Sequence, residues 1–185
     1  GAKVNAADPR KSKPVIITEY ANGIRTFNGV AFITNTYCDN YQFAERCDEN
    51  TLTLANDGAN VLCFWEAANQ SWQSQPMYAF LRIDSTKRPT YYAFSTLAPF
   101  IQNGSMVLTK TWDDPVISAA GFVSADKLVL AFANSSADTV VRSVQVTGVT
   151  TLAITNALAF VSGNVVVKLS EITYDYSTNS MNISL

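Results

Sequence analysis

The sequence predicts an α/β segment followed by an all-β segment. Residues 1–102 carry two strand–helix units of a parallel sheet, and residues 103–185 carry an antiparallel β-sandwich. Three observations predict this. Two runs, Val15–Thr18 and Asn60–Glu66, have the character of strands buried on both faces. Each is followed by a stretch of helical pattern. Beyond Asn103-Gly104 the composition turns to Val, Thr, Ser and Ala in short runs between turn residues.

Composition narrows the chemistry first. The 185 residues are 48% hydrophobic and 15% charged, which excludes disorder and leaves enough chain for a sizeable core. A net charge of −2 carries no nucleic-acid footprint. The longest apolar runs, such as Val61–Trp65 and Leu128–Ala133, are too short to span a bilayer. The chain has no His, which removes Ser-His-Asp and Cys-His catalysis and His-ligated zinc. Three cysteines, Cys38, Cys47 and Cys63, leave two readings open: a Cys38–Cys47 bridge, or thiols packed as small hydrophobes. No metal and no cofactor is expected. Four Asn-X-Ser/Thr triplets, at Asn69, Asn103, Asn134 and Asn182, are no more than chance places in so Asn-, Ser- and Thr-rich a chain.

Residues 1–14 are polar and basic, read as a loop, and lack the apolar core of a signal peptide. Pro14 opens the first strand, which ends in Glu19-Tyr20. Asn22 to Asp39 is irregular, broken by Gly23 and Gly29. From Asn40 to Asn56 the pattern is helical: Asn40 caps, and Ala44, Cys47, Leu52 and Ala55 form a buried stripe. Asp57-Gly58 stops the helix. The second strand follows and ends in Trp65-Glu66. A polar loop, Asn69 to Gln75, holds the lone Trp72. Arg88-Pro89-Thr90 leads into a second helix, Tyr91–Ile101, which Pro99 ends or kinks.

In the second half the candidate strands are Met106–Thr111, Val116–Val123, Lys127–Ala133, Val140–Thr147, Leu152–Thr155, Val165–Leu169 and Ile172–Tyr176. Turns fall at Ala125-Asp126, Asn134 to Asp138 and Ser162 to Asn164. Asp113-Asp114 before Pro115 reads as a turn, not a cation site.

Two strand–helix units neither close a barrel nor make a stable open sheet. Their order is informative: a strand ending Thr18-Glu19-Tyr20, a helix, a strand ending Phe64-Trp65-Glu66, a helix, then a sandwich. This resembles the C-terminal portion of clan A retaining glycoside hydrolases of family 30 type. The stretches Leu81–Asp84 and Arg88–Phe94 also look like that family's lead-in to its last helix. The resemblance implies that residues 1–102 are the last two units of a (β/α)8 barrel of TIM type and residues 103–185 an accessory sandwich. It implies that Glu19 is the catalytic nucleophile, and that the partner acid lies in an N-terminal barrel portion this sequence lacks. It further implies that the sandwich lacks its final strand, because the chain stops at Leu185.

Retaining hydrolysis needs two carboxyl groups about 5–5.5 Å apart, and a Glu at the C-terminal mouth of a barrel strand stands where such folds keep them. Beside Glu19, the expected substrate-binding residues are Tyr20, Trp65, Glu66 and Trp72. An indole can stack on a sugar's apolar face, the Glu66 carboxylate can bond its hydroxyls, and Tyr20 either bonds the nucleophile or merely fills the site. The bland alternatives are a strand-ending surface carboxylate for Glu19, a core indole for Trp65, and an Arg-paired or solvated group for Glu66. The expected partners are a carbohydrate substrate and either the missing barrel portion or another copy of the chain. Such an enzyme is expected to be extracellular or periplasmic. The competing class is a non-catalytic carbohydrate-binding or structural β-sandwich module, whose signature would be exposed aromatics on one sandwich face.

Overall fold

A computed structural model of the chain describes residues 14–20, 38–68, 79–111, 113–147, 154–161, 165–168, 173–175 and 180–184. Strands β1 (Ile16–Tyr20) and β2 (Val61–Phe64) pair in parallel, with Ile16 opposite Val61 and Ile17 opposite Leu62. Between them in sequence lies helix α1 (Tyr41–Asn56). Asn40 caps it, its side-chain oxygen accepting from the amide of Gln42 at 2.7 Å. Gly58, at φ 88°, takes the left-handed turn that ends it. The buried stripe is Phe43, Ala44, Cys47, Thr51, Leu52 and Ala55, the expected face with Phe43 and Thr51 added.

Helix α2 (Pro89–Ser95) starts two residues before the expected Tyr91 and ends six before Ile101. Pro89 suits the first turn, where its missing N–H costs nothing. Pro99 lies in a separate 3₁₀ turn, Ala98–Phe100, because proline disfavours helix in the residue before it.

The second half is antiparallel throughout its described strands. One sheet runs β3 (Met106–Val107), β4 (Ile117–Val123), β5 (Leu128–Asn134). A second places β10 (Ser180–Ser184) between β6 (Val141–Gln145) and β9 (Thr173–Asp175). A two-stranded sheet joins β7 (Leu158–Val161) to β8 (Val165–Lys168). The whole is a mixed α/β architecture with open sheets.

Several expectations are corrected. The strand expected over Met106–Thr111 keeps only two residues, and Ile154 and Thr155 lie outside any strand, while residues 152–153 fall outside the described residues. Strands β7 and β10 were not expected. Ser180–Ser184, read as no strand in the sequence, is paired on both sides. Burial of β1 and β2 on both faces is also overturned: Ile16 is 53% and Val61 44% exposed. The physical reason is that, among the described residues, helices pack on the face of Tyr20 and Phe64 and not on that of Ile16 and Val61. Cys38, Cys47 and Cys63 form no disulfide, and the first two are fully buried.

Among the described residues, two apolar clusters form the core. Cys38, Phe43 and Cys47 pack with Phe64 and Phe94, whose rings meet Phe80 at 4.5 and 4.9 Å. Leu52 and Ala55 of α1 pack with Ala120, Phe122 and Ala133 of β4 and β5. Helix α1 therefore serves as core for both halves. No helix among the described residues is long and apolar enough to cross a membrane.

Candidate functional site

Glu19 and Trp65 stand at the C-terminal ends of adjacent parallel strands. The strands are tied there by the amide of Trp65, which donates to the carbonyl of Tyr20 at 2.9 Å. On β2 and its end, Val61, Cys63 and Trp65 are exposed in alternation, while Leu62 and Phe64 turn inward. On β1 the alternation breaks. Ile16, Thr18 and Glu19 are all exposed, and only Ile17 and Tyr20 are half-buried.

The break has a geometric cause. From the Ile17–Leu62 pair to the Tyr20–Phe64 pair, β1 advances three residues and β2 two, so β1 carries one extra residue. Such a bulge resets the side-chain alternation. Strict alternation from the inward Ile17 would send Glu19 toward the helices. The bulge leaves it on the open face of the sheet, the face that Trp65 shares.

Tyr20 turns the other way. Its hydroxyl meets the Oγ1 of Thr51 on α1 at 2.8 Å, and its ring lies edge-on to Phe64 at 5.6 Å. Burial pushes its pKa up to about 12, so the hydroxyl stays protonated at any working pH. Glu66 is only 9% exposed, and its peptide bond to Trp65 is cis. The Glu66 carbonyl accepts from Phe80 at 3.0 Å, and Leu81 bridges both Ala68 and Lys87, so a hairpin over residues 80–88 flanks the segment after β2. The structure thus brings Glu19, Tyr20, Trp65 and Glu66 to one sheet end, with Glu19 and Trp65 facing solvent. Trp72 lies outside the described residues.

Three groups near this end carried no signal in the sequence beyond their residue type. Asp39 takes both Arg88, at 2.6 Å, and Arg82, at 2.7 Å, on its Oδ1. This pins the 80–88 hairpin to the start of α1. On α1 itself, Asp48 and Glu45 each keep a buried carboxylate oxygen without a hydrogen-bond partner among the described residues. Burial, then the neighbouring Glu45 charge, raises the Asp48 carboxyl to about 7. Burial likewise raises Glu45, with Glu49 adding to it. Among the described residues no three His, Cys, Asp or Glu side chains gather as a metal site.

The fold resembles part of two solved structures, in likeness of shape alone. The family 30 subfamily 8 glycoside hydrolase xylanase of Clostridium acetobutylicum superposes with a TM-score of 0.67 over 95% of this chain, at 15% identity. A family 30 endoxylanase of Clostridium papyrosolvens does so with a TM-score of 0.67 over 95%, at 14% identity. The chain spans 41% and 40% of the lengths of those two structures. No family model matches the sequence, and no curated protein matches it.

Proposed function

We propose that this chain is the C-terminal portion of a retaining glycoside hydrolase acting on an oligo- or polysaccharide. In this reading residues 1–102 supply the last two units of a (β/α)8 barrel and residues 103–185 an accessory β-sandwich. Glu19 is the nucleophile. The observation that carries the reading is the pairing of Glu19 and Trp65 on the uncovered face at the C-terminal ends of parallel neighbours. The shared fold with two xylanases supports it.

The chemistry follows from one carboxylate in that place. The Glu19 carboxylate attacks the anomeric carbon as the glycosidic C–O bond breaks. The acid/base Glu, upstream of this sequence, gives its proton to the departing oxygen. Water, deprotonated by that same group, then attacks the anomeric carbon and releases the sugar and the Glu19 carboxylate. Trp65 stacks on a sugar ring, and Trp72 and Glu66 line subsites. The uncovered apolar face at Ile16 and Val61 receives the rest of the barrel or another copy of the chain. The enzyme works outside the cytoplasm, where polysaccharides are met.

The test uses the longer protein that carries the acid/base group. Xylan, the substrate named for both fold relatives, is the first to assay. A 2-fluoro glycoside should trap a covalent adduct that peptide mapping places on Glu19, and Glu19→Gln should lower turnover by several orders of magnitude with little change in binding. An adduct elsewhere, or near-normal turnover in Glu19→Gln, overturns the assignment. Sugar binding without any turnover would instead support a non-catalytic binding module.

A further inference from the structure

We propose that Tyr20 is a positioning residue that locks the β1 bulge, setting Glu19 and Trp65 in register with each other. The inference rests on the reading of Glu19 as nucleophile, and it replaces the expectation that Tyr20 bonds that nucleophile or fills the substrate site.

The lock is a chain of hydrogen bonds. The Thr51 hydroxyl donates to the carbonyl of Cys47, one helical turn back, at 2.7 Å. With its proton committed there, Oγ1 can only accept from Tyr20. The relay therefore runs from the Tyr20 O–H to Thr51, and from the Thr51 O–H to the backbone of α1. The Tyr20 carbonyl meanwhile accepts the amide of Trp65 at 2.9 Å. One residue thus fastens the end of β1 both to the helix behind it and to the strand beside it.

The bulge is what makes this consequential. An extra residue in a strand can slip, and a one-residue slip sends every following side chain to the other face. Glu19 precedes Tyr20 by one peptide, so a fixed Tyr20 fixes the backbone on which the nucleophile stands. Misplacing a reacting group by an ångström is enough to cost about a hundredfold in rate. A hydroxyl already engaged on the helix side has no part in sugar binding, so its loss should appear in kcat and leave KM alone.

Two measurements test this separately from the nucleophile assignment. In this chain, hydrogen exchange of the Trp65 amide should quicken about tenfold in Tyr20→Phe, while the Leu52 amide in the α1 core exchanges as before. Thr51→Val should reproduce the effect, and Thr51→Ser should restore the native rate. In the longer enzyme, Tyr20→Phe and Thr51→Val should lower kcat about tenfold or more, with KM within about twofold. An unchanged Trp65 exchange rate in both Tyr20→Phe and Thr51→Val overturns the lock. So does a KM increase with kcat intact, which would return Tyr20 to the substrate. If fluoro-sugar labelling misses Glu19 while the exchange pattern appears as stated, the lock stands and the nucleophile assignment falls.

Discussion

The side-chain amide of Asn56 donates to the backbone carbonyl of Ala119 across 2.7 Å, joining the last turn of α1 to the middle of β4. The contact spans 63 residues of sequence. Beneath it Leu52 and Ala55 pack on Ala120, Phe122 and Ala133, so the α/β half and the β half share one interior.

Leu52→Ala should destabilise the chain by about 2–5 kcal/mol, because a fully buried leucine leaves a cavity that its rigid neighbours fill only in part. Both halves border that cavity. Urea unfolding followed by helix ellipticity and by a sheet-specific probe should therefore shift together. A shift in one signal alone would show the halves to be independent.

Arg88 is 2% exposed and pairs with Asp39 at 2.6 Å. Asp39→Asn should cost about 2–3 kcal/mol, since it removes a carboxylate from a buried guanidinium. Arg82 shares the same oxygen but is one-third exposed, so Arg82→Gln should cost under about 1 kcal/mol. Equal losses in the two variants would contradict this division.

Asp48 supplies a pH signature. Its carboxyl is raised from 3.8 to about 7 in the folded chain by burial and by Glu45. The folded state then binds more protons than the unfolded state between those values, so this group's contribution falls as pH rises through that window. It is most favourable below the unfolded value and lost once the folded value is passed. Asp48→Asn removes the effect. Denaturation at roughly pH 5 and pH 8 should show a smaller loss on alkalisation in the variant than in the wild type. An identical loss in both would rule out the shift.

Trp65→Ala bears on the proposed function. The indole is 39% exposed and tied down through its backbone, so stability should change little. Binding and turnover of a polysaccharide should weaken together by roughly 1–3 kcal/mol, as for other aromatic stacking platforms. Unchanged affinity with a collapse in stability would make Trp65 a core residue instead.

The helix α1 was legible almost to the residue. A capping Asn40, a stripe at helical spacing and Asp57-Gly58 at the end are all local signals, and local signals survive folding intact. The longer strands β4, β5 and β6 were legible within a residue or two for the same reason, as short apolar runs between turns. The second helix was over-extended because its apolar pattern continues through Leu97, Phe100 and Ile101 beyond the residue where Pro99 breaks it.

What escaped was what depends on distant partners. The segment Ser180–Ser184 has weak strand composition, yet it lies between β6 and β9 because two neighbours supply backbone hydrogen bonds on both sides. The uncovered face at Ile16 and Val61 was misread because an apolar run does not say how many faces its surroundings will cover.

The site divides in the same way. The order of motifs and the family it resembles, more than residue type alone, singled out Glu19 and Trp65 as the groups to watch. The bulge that turns Glu19 onto Trp65's face, the Thr51 partner of Tyr20 and the Asp39 partner of Arg88 were decided by tertiary structure alone. Helix caps and alternating patterns are written over a few residues. Strand register and polar partnership arise between segments 31 and 49 residues apart, which meet only when the chain has folded.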